Sequence, residues 1–295
     1  MTWTLRTTLN WASDYFSQKQ LASPRLDAEL LLAEALQLSR VQLYMDFDRP
    51  LNTNELAHFK SLIQRRASRE PVAYILGRKE FYSLNFQVNS AVLIPRPETE
   101  ELVEAALQHL KARNLESAKI LDLATGSGCI LISILKNFEN AQGLGVDISE
   151  SALTVAKGNA VLHQVDLHAN WIQHDLSLGW PAEVKGPFDL ITANLPYVSE
   201  ADWQELEPEL KNFEPRAALV PGPHGDESFF WILPFLENYL KPGGMALLEI
   251  GCDQGKTLLE QAVRHCKESR CDLLLDLSNR ERFLRIMKKL TTTSF

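Results

Sequence analysis

Asn194-Leu195-Pro196-Tyr197 ends an apolar run, Phe188-Asp189-Leu190-Ile191-Thr192-Ala193. The run reads as a buried parallel strand. Proline lacks the ladder donor and holds the residue before it extended, so the strand cannot pass Pro196. The result is a stiff turn carrying a side-chain amide, main-chain carbonyls and an aromatic ring. It lies where open α/β sheets bind ligands, outside the carboxyl end of a strand. No His or Cys stands beside Asn194, so the turn offers hydrogen-bonding positions and not a proton-transfer couple. In isolation it matches any strand-to-loop exit.

A second stretch makes the first meaningful. Lys119-Ile120-Leu121-Asp122-Leu123-Ala124-Thr125-Gly126-Ser127-Gly128 reads as strand, acidic residue, small-residue loop and helix start. Glycines admit a ligand close to the main chain, and a helix N-terminus offers free amides. The dinucleotide fingerprint needs a third glycine three residues after Gly128, and that position is Leu131. Asp147 follows Gly145-Val146 at the end of the next strand, placed to accept ribose hydroxyls. Asp175 ends the third strand, where an adenine amino group could find an acceptor. Each aspartate alone could be a helix N-cap; three at successive strand ends beside a glycine loop point to an adenosine-bearing cofactor.

The elements that position these residues alternate. Strands are predicted at 119–123, 143–147, 168–174, 187–193, 244–250, 271–276 and 282–288, with helices at 129–139, 150–163, 226–240 and 254–267. Such alternation implies a mainly parallel sheet covered on both faces. Upstream, 4–19, 25–38, 39–45 and 53–69 have helical spacing, Ser23-Pro24 opening the second and Pro71 ending the last. The second helix is expected to bury Leu26, Leu30, Leu31, Ala33 and Leu36. Arg65, Arg66 and Arg69 read as a solvated face, as do Lys256, Arg264, Lys267 and Arg270. A hairpin is expected between Glu80 and Val92, then a proline-stiffened strap, Ile94-Pro95-Arg96-Pro97, and a helix capped near Thr99.

The chain of 295 residues carries a net charge of −8. Residues 1–86 hold 11 Lys+Arg against 9 Asp+Glu, and residues 87–295 hold 19 against 29. An acidic major region argues against broad contact with duplex phosphates. The four cysteines form no Cys-x-x-Cys pair and the histidines no ligand-spaced cluster, so no metal site is expected. With no signal-like N-terminus and no membrane-length apolar run, a cytoplasmic location and no membrane contact are expected.

Together these residues resemble the class I S-adenosylmethionine-dependent methyltransferases, and Asn-Leu-Pro-Tyr narrows the likeness to those that methylate planar nitrogens. The helical N-terminus, Pro71-Val72-Ala73-Tyr74-Ile75-Leu76-Gly77, Ile94-Pro95-Arg96-Pro97-Glu98-Thr99-Glu100, Glu214-Pro215-Arg216-Ala217-Ala218-Leu219 and Leu248-Glu249-Ile250-Gly251 resemble the release factor glutamine N5-methyltransferases. That resemblance implies an α/β fold: a Rossmann-like sheet of seven strands, mostly parallel with the last antiparallel, after a small helical bundle. It implies residues 1–75 as a substrate-recognition domain, 76–97 as a β-hairpin linker and 98–295 as the methyltransferase domain. Ala124, Thr125, Gly126, Ser127 and Gly128 would surround the methionine part of the cofactor, Asp147 the ribose, and Asp175 and Leu176 the adenine, with Asn194 reaching the cofactor as well. Asn194, Leu195, Pro196 and Tyr197 would hold and orient the substrate glutamine, with Arg96 and Glu214 on the strap and lip beside it. S-adenosylhomocysteine would be the product, and class 1 release factors the partners of a monomeric enzyme that binds no nucleic acid. The family carries glycine where Ala124 stands and a second proline where Leu195 stands.

Other readings use the same residues. An adenine-N6 or cytosine-N4 DNA methyltransferase could seat an exocyclic amine in such a pocket, but must flip a base and carries a basic target-reading segment. A non-catalytic binding module could keep the cofactor fold as a scaffold. A nicotinamide oxidoreductase lacks its third glycine and a proton donor here.

Overall fold

A computed structural model of the chain describes residues 3–290, which form two compact units. The first comprises residues 3–78 with 207–213, and the second 79–206 with 214–290. The hairpin from residue 79 onward therefore belongs to the second unit. The short helix Pro208–Phe213, which has no signature in the sequence, packs with the first.

The first unit is helical, with helices Leu5–Gln18, Pro24–Leu36, Arg40–Met45, Thr53–Ala67 and Val72–Leu76. Local chemistry fixes their starts. Thr4, Ser39 and Asn52 each form a reciprocal capping box with the residue three positions on, and Pro24 opens its helix at the first position. Leu5, Leu9, Phe16, Leu31, Leu32, Leu43, Phe59 and Ile63 form the core. The expected stripe on the second helix is rotated: Leu26 is 42% exposed, while Ala28 and Leu32 are buried.

The arginine row corrects the sequence reading. Arg66 is 6% exposed; its Nε lies 2.7 Å from Asp27 Oδ2, and Nη1 and Nη2 each lie 3.3 Å from Glu209 Oε1. Arg69 bonds Glu209 and the carbonyls of Lys19 and Gln20, and Arg65 pairs with Glu70. Sequence spacing put these charges on an outer face, but two carboxylates from separate segments converge there and draw the guanidinium inward. Burial pushes the Asp27 carboxyl up, Arg66 opposes the shift, and Glu209 adds to it.

In the second unit, a two-stranded hairpin of β1 (Arg78–Phe81, beginning one residue before the unit) and β2 (Leu84–Gln87) precedes the sheet. The sheet comprises β3 (Ala118–Leu123), β4 (Ala141–Asp147), β5 (Ala169–Gln173), β6 (Phe188–Asn194), β7 (Leu240–Glu249), β8 (Ser269–Leu275) and β9 (Glu281–Lys288), in the order β5-β4-β3-β6-β7-β9-β8. The β3–β4, β3–β6, β4–β5 and β6–β7 pairs are parallel, and only β9 pairs antiparallel. Helices Glu98–Ala112 and Cys129–Asn137 cover one face, Glu227–Tyr239 and Gly255–His265 the other. Burial on both faces is why β6 is apolar along its length. Its one charge, Asp189, accepts from Lys119 N at 2.9 Å and pairs with Lys241 and Arg113, tying down the entrance of the strand. The chain leaves β3 to either side, and that reversal brings the carboxyl ends of β3, β4 and β6 to one crevice. Among the described residues no helix is long and apolar enough to cross a membrane.

Candidate active site

The crevice is a cavity of about 460 Å³. Its wall includes Arg96, Ala124, Thr125, Gly126, Ser127, Asp147, Asp175, Leu176, Asn194, Leu195 and Pro196. Four separate strand ends thus bring together most of the residues singled out by sequence. Gly128, Tyr197 and Glu214 do not line the cavity. Pro95 of the strap and Pro215, Ala217, Ala218, Val220 and Pro221 of the lip complete the rim.

The loop after β3 is built around one buried carboxylate. Asp122 accepts from Thr125 Oγ1 at 2.5 Å and from Thr192 Oγ1, on β6, at 2.7 Å. Burial is the main cause that pushes its carboxyl up to about 6, with the two hydroxyls opposing the shift. Asp147 Oδ2 accepts from Gly126 N at 2.8 Å and its Oδ1 from Ser149 N at 2.9 Å. These bonds close the glycine loop over the end of β4. Burial raises the Asp147 carboxyl, and the backbone N–H groups oppose that rise. A Cβ built on Gly126 would meet nothing within 4 Å, so the main chain of the loop is open to a ligand. Open backbone beside a carboxylate that retains free lone pairs fits an adenosine-bearing ligand. Asp175 caps the short Leu176–Leu178 turn through Ser177 N at 2.9 Å and also faces the cavity. With a ribose hydroxyl donating to it, removing the Asp147 carboxylate (Asp147→Ala) would take away one charged hydrogen bond, worth about 1.5–3 kcal/mol. Calorimetry of S-adenosylhomocysteine binding is expected to show roughly ten- to hundredfold weaker affinity.

Ala124 has φ 54°, in the left-handed region. A side chain there costs about 1–2 kcal/mol, which explains why glycine suits the position. Ala124→Gly is therefore expected to leave the loop intact and add up to about 1 kcal/mol of stability, or roughly 2–4 °C in a thermal melt.

The Asn194 turn is pinned from three directions. Pro196 O accepts from Ser228 Oγ at 2.6 Å, and Tyr197 O accepts from Gln254 Nε2 at 3.0 Å. Leu195 O has no partner among the described residues, while the residue as a whole is 2% exposed and belongs to the apolar core beneath. Leucine in place of a second proline thus exchanges ring stiffness for burial. Gly225 lets the backbone close on this turn: a Cβ there would lie 2.7 Å from Tyr197 O, at φ +86°.

Asn194 Nδ2 donates to Thr99 Oγ1 at 3.2 Å, which turns the amide oxygen the other way. Thr99 Oγ1 donates to Glu249 Oε2 at 2.6 Å, and the Tyr197 hydroxyl donates to Glu249 Oε1 at 3.3 Å. Thr99 is therefore no helix cap; the Glu98–Ala112 helix follows Pro97 without a side-chain cap. Glu214 is likewise occupied: it accepts from Ile94 N at 3.2 Å and pairs with Arg96, stitching strap to lip. Sequence reasoning gave Thr99 only that capping role, and assigned none to Glu249, Ser228 and Gln254. For Glu249 there was a signal, a lone carboxylate ending the apolar run Met245-Ala246-Leu247-Leu248; the other two gave none.

Residues 7–77 match the PrmC N-terminal domain family and residues 95–255 the N-6 DNA Methylase family. A release factor glutamine methyltransferase from Geobacter sulfurreducens is 42% identical over 259 residues, covering 87% of each chain. One from Rhodopirellula baltica is 38% identical over 291 residues, covering 97% of each. Among solved structures, the hMettl16 catalytic domain superposes with TM-score 0.57 at 14% identity, covering 77% of this chain and 82% of that one. A methyltransferase from Pyrococcus furiosus does so with TM-score 0.50 at 15% identity, covering 78% and 98%. The last two share the fold. The first two share sequence over nearly the whole length, helical unit included, and place this chain in the release factor glutamine methyltransferase family.

Proposed function

We infer that the protein methylates the side-chain nitrogen of the glutamine in the Gly-Gly-Gln loop of class 1 peptide chain release factors, with S-adenosylmethionine as methyl donor. One observation carries the assignment to this cavity. Leu195, whose carbonyl has no partner among the described residues, and Asn194, whose amide nitrogen is turned to Thr99, line the same cavity as the Gly126 loop and Asp147. In this reading the loop and Asp147 hold the cofactor, with Asp175 and Leu176 at its adenine.

An amide nitrogen is a poor nucleophile because its lone pair is delocalised into the carbonyl. Asn194 Oδ1 and Leu195 O would accept its two N–H groups, which lie in the amide plane, and so fix that plane. One lobe of the π-type lone pair then faces the methyl group. The bound cofactor supplies an already activated methyl, so alignment can contribute up to roughly 7–11 kcal/mol and no strong general base is needed. Transfer would form the N–CH3 bond as the S–CH3 bond breaks and its electron pair goes to sulfur, leaving S-adenosylhomocysteine, and the cationic amide would shed its extra proton to water. Arg96 reaches the same cavity and is proposed to meet the substrate, with Glu214 holding it there.

The enzyme is proposed to act as a monomer in the cytoplasm, where release factors work. A DNA substrate is disfavoured because residues 87–295 carry 29 acidic against 19 basic side chains. Incubation with labelled S-adenosylmethionine and, separately, a release factor and duplex DNA tests this. One methyl on the Gly-Gly-Gln glutamine, located by mass spectrometry, is the expected result. Label on DNA instead overturns it.

A further inference from the structure

Asn194 and Glu249 are register partners on β6 and β7, so the two side chains emerge together at the carboxyl edge of the sheet. Thr99, from the start of the Glu98–Ala112 helix, sits between them. Thr99 is 2% and Glu249 1% exposed. A hydroxyl has one proton to give, and an ionised carboxylate can only accept. With Glu249 ionised, the Thr99 proton is committed to Oε2. Only the lone pairs of Thr99 remain for Asn194, so the side of the amide facing it must be the NH2. The oxygen of Asn194 is thereby aimed away from Thr99. The other carboxylate oxygen takes the Tyr197 hydroxyl, so one buried charge holds both ends of the Asn194–Tyr197 turn.

We propose that Thr99 and Glu249 are positioning residues for methyl transfer, a relay that fixes which end of the Asn194 amide meets the substrate. The inference rests on the reading that Asn194 Oδ1 accepts a glutamine N–H. The relay needs an ionised Glu249, because a protonated carboxyl can itself donate to Thr99 and release the hydroxyl to donate to Asn194. Besides Thr99 and Tyr197, the groups acting on Glu249 are Arg282, on β9, and Glu98, on the helix of Thr99. Burial outweighs Arg282 and the hydroxyl donors and raises the carboxyl, so the acid limb of kcat lies above that of an ordinary glutamate.

The test compares Thr99→Val, Thr99→Ser and Glu249→Gln with the wild type. It measures kcat and KM on a release factor from pH 5 to 9, and S-adenosylhomocysteine affinity by calorimetry. Thr99→Val keeps the shape and loses the relay; kcat is expected to fall about ten- to a hundredfold with cofactor affinity within about threefold. Thr99→Ser is expected to recover most of that loss, and Glu249→Gln to flatten the acid limb. Wild-type kcat in Thr99→Val, equal losses in the Val and Ser variants, or an unchanged acid limb in Glu249→Gln would each overturn the relay. A wild-type enzyme that leaves the release factor unmethylated would instead overturn the functional reading itself.

Discussion

Asn194→Ala is expected to lower turnover on a release factor at least about a hundredfold while leaving cofactor affinity within a few-fold of wild type. The reasoning is geometric. The Leu195 carbonyl can accept one N–H of the glutamine, but a single hydrogen bond leaves the amide free to rotate about it. Loss of alignment by about 1 Å costs on the order of a hundredfold in rate. The cofactor loop is held separately, through Gly126 N to Asp147 and Thr125 to Asp122. Single-turnover kinetics with a saturating release factor, alongside calorimetry of S-adenosylhomocysteine, separates the two effects. Normal turnover in the variant would remove Asn194 from the mechanism. Weak cofactor binding would make the turn part of the cofactor site.

The largest stability effect is expected in the helical unit. Arg66→Met removes the only cation that bonds both Asp27 and Glu209 among the described residues. Stripping one partner from a buried ionic cluster costs about 3–5 kcal/mol, because the remaining charges stay buried without compensation. The double variant Arg66→Met with Asp27→Leu is expected to recover about half of that loss. Apolar replacement removes the stranded charge, and Arg69 still bonds Glu209 at 3.3 Å. Denaturant unfolding of the four species in a double-mutant cycle gives the coupling directly. Additive losses would mean that the cluster is screened by water and not buried.

Much of this architecture was legible in the sequence because it rests on patterns that repeat. The alternation of apolar strands and amphipathic helices after residue 118 set the sheet, and element ends fell within a few residues of those expected. The two turns that meet at the cavity were legible as turns because glycine, proline and aspartate act through local geometry at strand ends. What escaped depends on partners distant in sequence. Arg66 looks like any surface arginine until Asp27, 39 residues before it, and Glu209, 143 after it, arrive at its guanidinium. Thr99 has the composition of a helix cap, and only Glu249, 150 residues on, gives it another task. The helices Glu200–Glu205 and Pro208–Phe213 are too short for a period to show. The positive φ of Ala124 is set by closure of its loop, which no preference of alanine announces.

If the two turns hold cofactor and glutamine as proposed, the Asp122 carboxylate couples them. It takes one hydroxyl from the cofactor loop and another from Thr192, two residues before Asn194. Neither loop can shift against it without disturbing the anchor of the other. Ligands on such a shared anchor are thermodynamically linked, and linkage is reciprocal. Whatever factor a filled cofactor loop lends to glutamine affinity, a bound glutamine returns to the cofactor, and the order in which the two arrive leaves the total unchanged.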